Sequence, residues 1–147
     1  MLQKLKYLFI AVVFMVSVNY SWGQCLTFAK NSCKATMGSF VHDGNYNSTI
    51  LSEGETAELF KTFFEGQTYR IAISKVDDLP PIHFKVVDKT GRILFDNKDF
   101  NFQMVWDFSI ESTQMLVVQM QVLERPGSKD KISGCVSVLF GLERKAK

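Results

Sequence analysis

Apolar and polar side chains alternate along most of the chain from residue 55 onward. Between residues 69 and 73 every second position is aromatic or aliphatic, and the same spacing returns in 82–86, 116–122 and 132–140. Successive side chains of a strand point to opposite faces, so a period of two predicts strands with one apolar face each. The pattern therefore predicts a β-rich chain in which one side of each strand is buried.

The stretch FNFQMVWDFSI has the clearest alternation and predicts one long strand. Its apolar face consists of Phe100, Phe102, Met104, Trp106, Phe108 and Ile110. The aromatic rings could bind sugar rings, but they share this face with Met104 and Ile110, as core residues do. We interpret the stripe as core.

The turns between these segments are short and chemically specific. Residues 77–81 contain two prolines, which lack a donor for the strand ladder, and residues 88–91 have the composition of a hairpin turn. About eight strands result, and residues 26–37 show little periodicity. Parallel strands need crossover helices, and no convincing amphipathic helix separates these strands. We therefore predict an all-β fold, a two-layer antiparallel β-sandwich that is jelly-roll-like or Greek-key, with a closed barrel as second choice.

Three phenylalanines near residue 60 do not fit a single buried face. Phe60, Phe63 and Phe64 cannot all point inward from a regular strand. At least one of them is expected to be exposed, to lie under the N-terminal segment, or to belong to a patch that binds a partner.

The N-terminal stretch has the composition of a leader for export. Lys4 and Lys6 precede an apolar run over residues 8–18, which is shorter than the roughly twenty residues of a membrane span and fits the about 7–15 residues of a signal peptide. Small residues at Ser21 and Gly23 predict cleavage after Gly23, which gives a signal peptide over 1–23 and one domain over 24–147. An uncleaved anchor and a lipoprotein attached at Cys25 are the alternatives. Gln24 disfavours the lipoprotein, because a small residue normally precedes a lipidated cysteine.

The charge of the chain changes when the leader is removed. The full sequence has 17 basic and 15 acidic residues. Loss of Lys4 and Lys6 leaves 15 of each, so the mature chain is formally neutral. A neutral chain lacks the basic surface that a phosphate backbone requires, and nucleic acid is not an expected partner.

Export makes a disulfide possible for the three cysteines, and an odd number leaves one over. Cys25 and Cys33 are close in sequence and are the favoured pair, with Cys33–Cys135 next. Cys135 lies in an apolar strand pattern, where a free thiol behaves as a small hydrophobic group.

The sequence contains weak candidates for chemistry. His42 precedes a turn and is the better candidate for a general base, whereas His83 lies mid-strand opposite the predicted core face. A calcium site could form if the oxygen-bearing loop residues converged at one end of the sandwich. These residues are Asp77, Asp78, Asp96, Asn97 and Asp99. No calcium-binding loop motif is present, and we predict no catalytic residues, no metal and no cofactor.

Four segments of the chain resemble an uncharacterised family of small exported β-sandwich proteins of Gram-negative bacteria. They are GETAELFKTFFEGQTYRIAI, IHFKVVDKTGRILFDN, STQMLVVQMQV and GCVSVLFGL. The resemblance covers roughly residues 25–142. A looser resemblance links two strand–turn–strand units to bacterial pre-peptidase C-terminal domains, which are non-catalytic sandwiches appended to secreted enzymes. The resemblance to the small family implies a cysteine near Ser74 that would partner Cys135. Ser74 cannot do so, and this departure favours an unpaired Cys135.

Together these features predict a periplasmic or secreted, non-catalytic β-sandwich protein. We expect it to bind or stabilise an envelope protein or a glycan, with no membrane span after leader cleavage. Two alternatives remain. One is a hydrolase that uses His42 with loop carboxylates, and the other is a structural envelope component that assembles through exposed edge strands.

Overall fold

A computed structural model describes residues 21–144, and in this range one α-helix precedes nine strands. The elements are α1 (Ser21–Met37), β1 (Phe40–His42), β2 (Asn47–Ser52), β3 (Thr56–Phe63), β4 (Thr68–Lys75), β5 (Ile82–Asp88), β6 (Ile93–Asp96), a 3-10 helix (Asn97–Phe100), β7 (Val105–Ser109), β8 (Gln114–Val122) and β9 (Ser133–Glu143).

The strands form two sheets, and all their pairings are antiparallel. In sheet A, β9 lies between β4 on one side and β1 and β2 on the other, and β7 follows β4. Sheet B has the order β3-β8-β5-β6. All but two of the chain connections pass from one sheet to the other, as in a jelly roll. The predicted two-layer antiparallel sandwich is confirmed, with nine strands where about eight were expected.

The core lies between the two sheets and follows the predicted alternation. Its buried residues include Tyr69, Ile71 and Ile73 of β4, Ile82, Phe84 and Val86 of β5, Leu116, Val118, Met120 and Val122 of β8, and Val136, Val138 and Phe140 of β9. Burial of apolar surface at about 25 cal/mol per Å² is the main stabilising contribution in such a core. Of the three phenylalanines near residue 60, Phe63 reaches the core, whereas Phe60 and Phe64 are exposed. Ala57 and Leu59 of β3 are partly buried and also pack against the core.

Helix α1 covers the outer face of sheet A and was not predicted from the sequence. Cys25, Ala29, Cys33 and Met37 recur at every fourth position and are buried. This spacing places them on one side of a helix. Three of them, Ala29, Cys33 and Met37, pack against Ala72 and Leu139 of sheet A. The stripe was overlooked because two of its members are cysteines and one is alanine, so its apolar character is weak.

A glycine and an arginine determine how the end of α1 meets sheet A. A Cβ atom at Gly141 of β9 would lie 2.8 Å from the Met37 sulfur and 2.7 Å from the Phe40 Cβ atom, so only glycine fits. The Arg70 guanidinium donates to the Thr36 and Met37 carbonyl oxygens at 3.1 and 3.2 Å. These donors satisfy helix-end carbonyls that lack intrahelical partners.

The predicted strand over residues 100–110 is shorter in the structure. Only Val105–Ser109 form β7, and Trp106 and Phe108 on it face the core as expected. Residues 97–100 form a 3-10 turn, and the left-handed backbone at Asn101 and Phe102 reverses the chain. Phe100 is consequently exposed and stacks on Phe95. The prediction that Phe100 and Phe102 continue this strand is wrong.

The predicted signal peptide lies almost wholly outside the described residues. Its last three residues, 21–23, form the start of α1, so the predicted cleavage position falls in the first turn of that helix. Within residues 21–144, no helix combines the length and the apolar character required to cross a membrane.

Candidate functional site

An apolar row crosses all four strands on the solvent-facing side of sheet B. Strand register places Phe60 beside Val117, Val117 beside Val87, and Val87 beside Ile93. We call these four residues the apolar row. Because neighbouring strands lie about 4.8 Å apart, the row is about 14 Å long.

The two ends of the apolar row are open to solvent, and its middle is not. Phe60 is 59% exposed and Ile93 is 55% exposed, whereas Val87 and Val117 are buried beneath neighbouring side chains. Met115, two residues before Val117 on β8 and on the same face, is also exposed. Scattered surface apolar residues are common, but the alignment of these residues across a whole sheet makes this face a candidate interaction surface.

Two rows of polar residues lie next to the apolar row on the same face. In the nearer row, register aligns Glu58, Gln119, Lys85 and Asp96, and in the next it aligns Thr56, Gln121 and His83. All of these polar residues except Asp96 line a shallow concavity of about 340 Å³. An apolar strip with a polar, hydrogen-bonding border has the composition of a protein interface.

Hydrogen bonds hold the polar side chains in place. The Gln119 amide donates to Glu58 at 2.8 Å, and His83 Nε2 lies 2.8 Å from Asp96 Oδ1. The Lys98 amide also donates to Asp96. Burial alone would raise the pKa of Asp96, but the hydrogen bonds from the Lys98 amide and His83 outweigh burial and lower it. Asp96 therefore stays ionised and fixes the His83 ring.

His83 lies on the face expected for it but is not exposed. The sequence predicts an exposed residue, whereas the imidazole is buried between β5 and the end of β6. The expectation of exposure is wrong, because Asp96 lies beside it in the folded sheet. The position opposite the core face is as predicted.

The residues named as weak calcium candidates are not assembled into a site. Asn97 is fully buried, and its amide group bonds the Phe84 amide and the Ile82 carbonyl. Asp96 is already hydrogen-bonded to His83 and to the Lys98 backbone amide. Asp77 and Asp78 lie in the β4–β5 connection, and Asp99 lies in the 3-10 turn. Within residues 21–144, no three His, Cys, Asp or Glu side chains are grouped closely enough to hold a metal ion.

His42 has one carboxylate close to it. Its Nε2 lies 3.8 Å from Asp43 Oδ1, and its Nδ1 accepts from the Gly44 amide at 3.2 Å. Asp43 itself pairs with Lys61 at 2.6 Å and accepts from the Asn45 amide. Burial would raise the pKa of Asp43, but the Lys61 hydrogen bond and the Asn45 amide outweigh it, so the pKa is lowered. The hydrolase considered from the sequence would need two carboxylates beside His42, and the described contacts of His42 provide one, Asp43.

The disulfide differs from the favoured prediction. Cys25 of α1 is bonded to Cys135 of β9, and Cys33 is a buried free thiol. Both predicted pairs, Cys25–Cys33 and Cys33–Cys135, are wrong, and so is the expectation that Cys135 is unpaired. Cys25 and Cys33 are two turns apart on one side of a rigid helix, and that separation keeps their sulfurs from meeting.

A buried carboxylate that the sequence did not single out joins two loops at one end of the sandwich. Glu53, in the β2–β3 turn, accepts from the guanidinium of Arg125 and from the Ile132 amide. The Arg125 hydrogen bond is the main reason that its pKa falls to about 2. Residues 52–54 read as an ordinary turn, so no local signal marks Glu53.

Comparisons with known proteins support the fold. No protein-family profile and no curated protein sequence matches the chain, and the looser resemblance to pre-peptidase C-terminal domains is thus not supported. Among solved structures, the chain is similar to Aeromonas hydrophila PliG, a periplasmic lysozyme inhibitor of g-type lysozyme. The TM-score is 0.50 at 12% sequence identity, over 67% of this chain and 84% of PliG. At this identity the similarity shows a shared fold with a small exported β-protein.

Proposed function

We propose that this chain is an exported, non-catalytic binding module that docks a protein of the cell envelope or secretome on the solvent side of sheet B. The apolar row is the observation that carries the proposal. Phe60 and Ile93 expose more than half of their surface while the strand positions beside them are covered. A fold with a filled core has no structural need for large apolar side chains at these two positions.

Export is supported by the disulfide as well as by the leader sequence. Cys25–Cys135 joins residues 110 positions apart, and such bonds persist in oxidising compartments outside the cytoplasm. The same bond also uses the Cys25 sulfur that a lipid anchor would require. We therefore place the mature protein free in the periplasm or outside the cell.

A protein partner fits the surface better than a glycan. Sugar recognition on a sheet usually depends on several flat aromatic faces, and the apolar row supplies one ring, Phe60. Its other members are branched aliphatic residues, which suit the shape of another protein's apolar side chains. Trp106 and Phe108 could have stacked on sugars, but they pack against the core.

A binding role is also favoured over hydrolysis by the surroundings of His42. General acid–base hydrolysis needs a base and a second group within hydrogen-bond reach of one reacting centre. Asp43 is the carboxylate near His42, and Lys61 and the Asn45 amide already occupy it.

The similar structure suggests which partner to test first. PliG is named as an inhibitor of a lysozyme, so at least one sandwich of this shape acts by binding an enzyme of cell-wall turnover. We propose a cell-wall hydrolase as the partner of this chain.

Capture from an envelope extract tests the proposal when it is combined with surface variants. Wild type, Phe60→Ser and Ile93→Ser are compared as immobilised baits. Ile50→Ser is a matched control, because Ile50 is a strand isoleucine 48% exposed on sheet A, in the other layer of the sandwich. We expect a protein retained by wild type and by Ile50→Ser and lost from the other two baits. Equal retention by all four baits would contradict the proposed face.

A direct assay addresses the finer proposal. Purified g-type lysozyme and other cell-wall hydrolases are assayed on cell-wall substrate with and without the chain. Inhibition that disappears in Phe60→Ser supports a hydrolase partner. Retention of glycan fragments instead of any protein would show that the partner is a glycan.

A further inference from the structure

The longest edge strand in residues 21–144, β3, has no strand paired to its outer side. β3 spans eight residues and pairs with β8 alone. The other edge strands in residues 21–144 are shorter, with three residues in β1, six in β2, four in β6 and five in β7. A long free edge presents unpaired backbone groups, and natural proteins usually shorten such edges, cover them or place charged residues on them. β3 carries two charged residues, Glu58 and Lys61, and the Lys61 ammonium is paired with Asp43.

The phase of the β3–β8 hydrogen bonds shows which backbone groups are free. The Val122 amide donates to the Glu55 carbonyl at 3.1 Å, and antiparallel bonds to one neighbour recur at every second residue. Residues 57, 59, 61 and 63 therefore bond β8. The amide and carbonyl groups of Thr56, Glu58, Phe60 and Thr62 point away from the sheet, toward the open edge.

The sequence of β3 is compatible with antiparallel pairing to itself. When two copies align with Phe60 opposite Phe60, Glu58 lies opposite Thr62, and Thr56 lies opposite Phe64. Within Thr56–Phe63 no like charges face each other in this register, and an aromatic pair lies at its centre, both of which favour cross-strand pairing. Glu55 and Glu65, which follow in the same register, lie outside β3. A two-fold arrangement of this kind is closed, because each copy uses the same edge once.

We propose that β3 pairs with β3 of a second copy, which joins the two four-stranded sheets B into one eight-stranded sheet. The apolar rows of the two copies then meet at Phe60. This dimer needs no envelope partner, so it does not depend on the proposed function. It differs from the open-ended assembly considered from the sequence. Each copy has one β3 edge, and both edges are paired in the dimer, so no further copy can add through β3.

Charge substitutions at Thr62 test the pairing and its register together. Because the interface is two-fold, each substitution acts at two equivalent places. Thr62→Lys sets a positive charge opposite each copy of Glu58, and Thr62→Glu sets a second negative charge there. Each cross-strand pair contributes about 0.2–1 kcal/mol, so the dimer dissociation constant is expected to fall about twofold to thirtyfold for Thr62→Lys and to rise by a similar factor for Thr62→Glu.

Sedimentation of the purified exported protein over a wide concentration range measures these constants. Thr27→Lys and Thr27→Glu serve as controls, since Thr27 is exposed on α1, which packs on the outer face of sheet A, and they are expected to leave the constant unchanged. Circular dichroism verifies that each variant is folded. A wild-type protein that stays monomeric up to its solubility limit overturns the proposal. Shifts of the same sign for both Thr62 variants overturn it as well. Neither result depends on whether an envelope protein binds.

Discussion

Cys25, near the start of α1, is covalently bonded to Cys135 at the start of β9, 110 residues later. The bond attaches the helix to the central strand of sheet A, at the opposite end of the helix from the Arg70 hydrogen bonds. The helix is thus held at both ends, with Ala29, Cys33 and Met37 packed between.

Removal of the disulfide is expected to destabilise the fold strongly. A cross-link over a long loop restricts the unfolded chain, and loss of such a bond costs about 2–5 kcal/mol. Cys25→Ser/Cys135→Ser should lower the free energy of unfolding by this amount in urea denaturation. Cys33→Ala is the control and should cost much less, because it removes one buried atom and no cross-link. Equal losses in the two variants would contradict the pairing.

The Cys33 thiol should be protected from alkylation as long as α1 stays on sheet A. Burial raises the pKa of this thiol, with a smaller contribution from Asp43, and the raised pKa reduces the reactive thiolate further. We expect slow reaction with N-ethylmaleimide in the oxidised wild type and at least roughly tenfold faster reaction in Cys25→Ser/Cys135→Ser, where local opening is easier. Rapid modification of the oxidised protein would show that the helix does not cover Cys33.

Acid should weaken the fold below about pH 4.5, through Glu53. The Arg125 hydrogen bond lowers the pKa of Glu53 from 4.5 to about 2. Within this interval the unfolded chain takes up a proton before the folded protein does, so stability rises with pH and is lost as the pH falls toward 2. Asp88 acts in the same direction, because the Thr90 hydroxyl is the main group that lowers its pKa to about 2.

The contribution of Glu53 can be separated by substitution. Glu53→Gln should be less stable than wild type at neutral pH and should show a smaller loss of stability between about pH 4.5 and 2. Glu65→Gln, at an exposed loop position, is the control and should follow the wild-type curve. Parallel curves for wild type and Glu53→Gln would contradict the assignment.

Two small substitutions on the outer face of β9 should affect the stability of the fold differently. Gly141→Ala forces a methyl group against Met37 and Phe40, and overpacking of this kind costs about 1–3 kcal/mol. Ser137→Ala removes a fully buried hydroxyl that has no hydrogen-bond partner within the described residues, and it should be neutral or stabilising. Thermal unfolding distinguishes the two, and a lower melting temperature for Ser137→Ala than for Gly141→Ala would contradict the packing of α1.

The sequence predicts those parts of the fold in which side-chain alternation is strong. Strands β4, β5 and β8 follow from the period-two pattern, because one face of each is buried in the core. Helix α1 was not predicted because it packs closely on small residues of sheet A such as Ala72. The residues that make this contact from the helix, Ala29 and Cys33, are small as well and carry little hydrophobic signal. The 3-10 turn was missed because Asn101 and Phe102 adopt a left-handed backbone that an alternating sequence does not reveal.

The candidate site was only partly predictable. Strand geometry alone predicts that Phe60, Phe63 and Phe64 cannot all point inward, and this is confirmed. Of the three alternatives left open, the structure shows exposure, at Phe60 and Phe64. The apolar row is not visible in the sequence, because Phe60, Val117, Val87 and Ile93 come from four strands whose register is set by the folded sheet. For the same reason the sequence could not pair Cys25 with Cys135 or Glu53 with Arg125.

The affinity of the captured partner for variants of sheet B tests the central claim most directly. The few contact residues that carry most of the binding energy of an interface each cost more than about 1 kcal/mol when truncated, which is about fivefold. Calorimetric titration should therefore give a dissociation constant at least about tenfold higher for Phe60→Ser/Ile93→Ser than for wild type, with Ile50→Ser within about twofold of wild type. Equal constants for wild type and Phe60→Ser/Ile93→Ser, or a larger loss in Ile50→Ser, would contradict the assignment of this face as the binding surface.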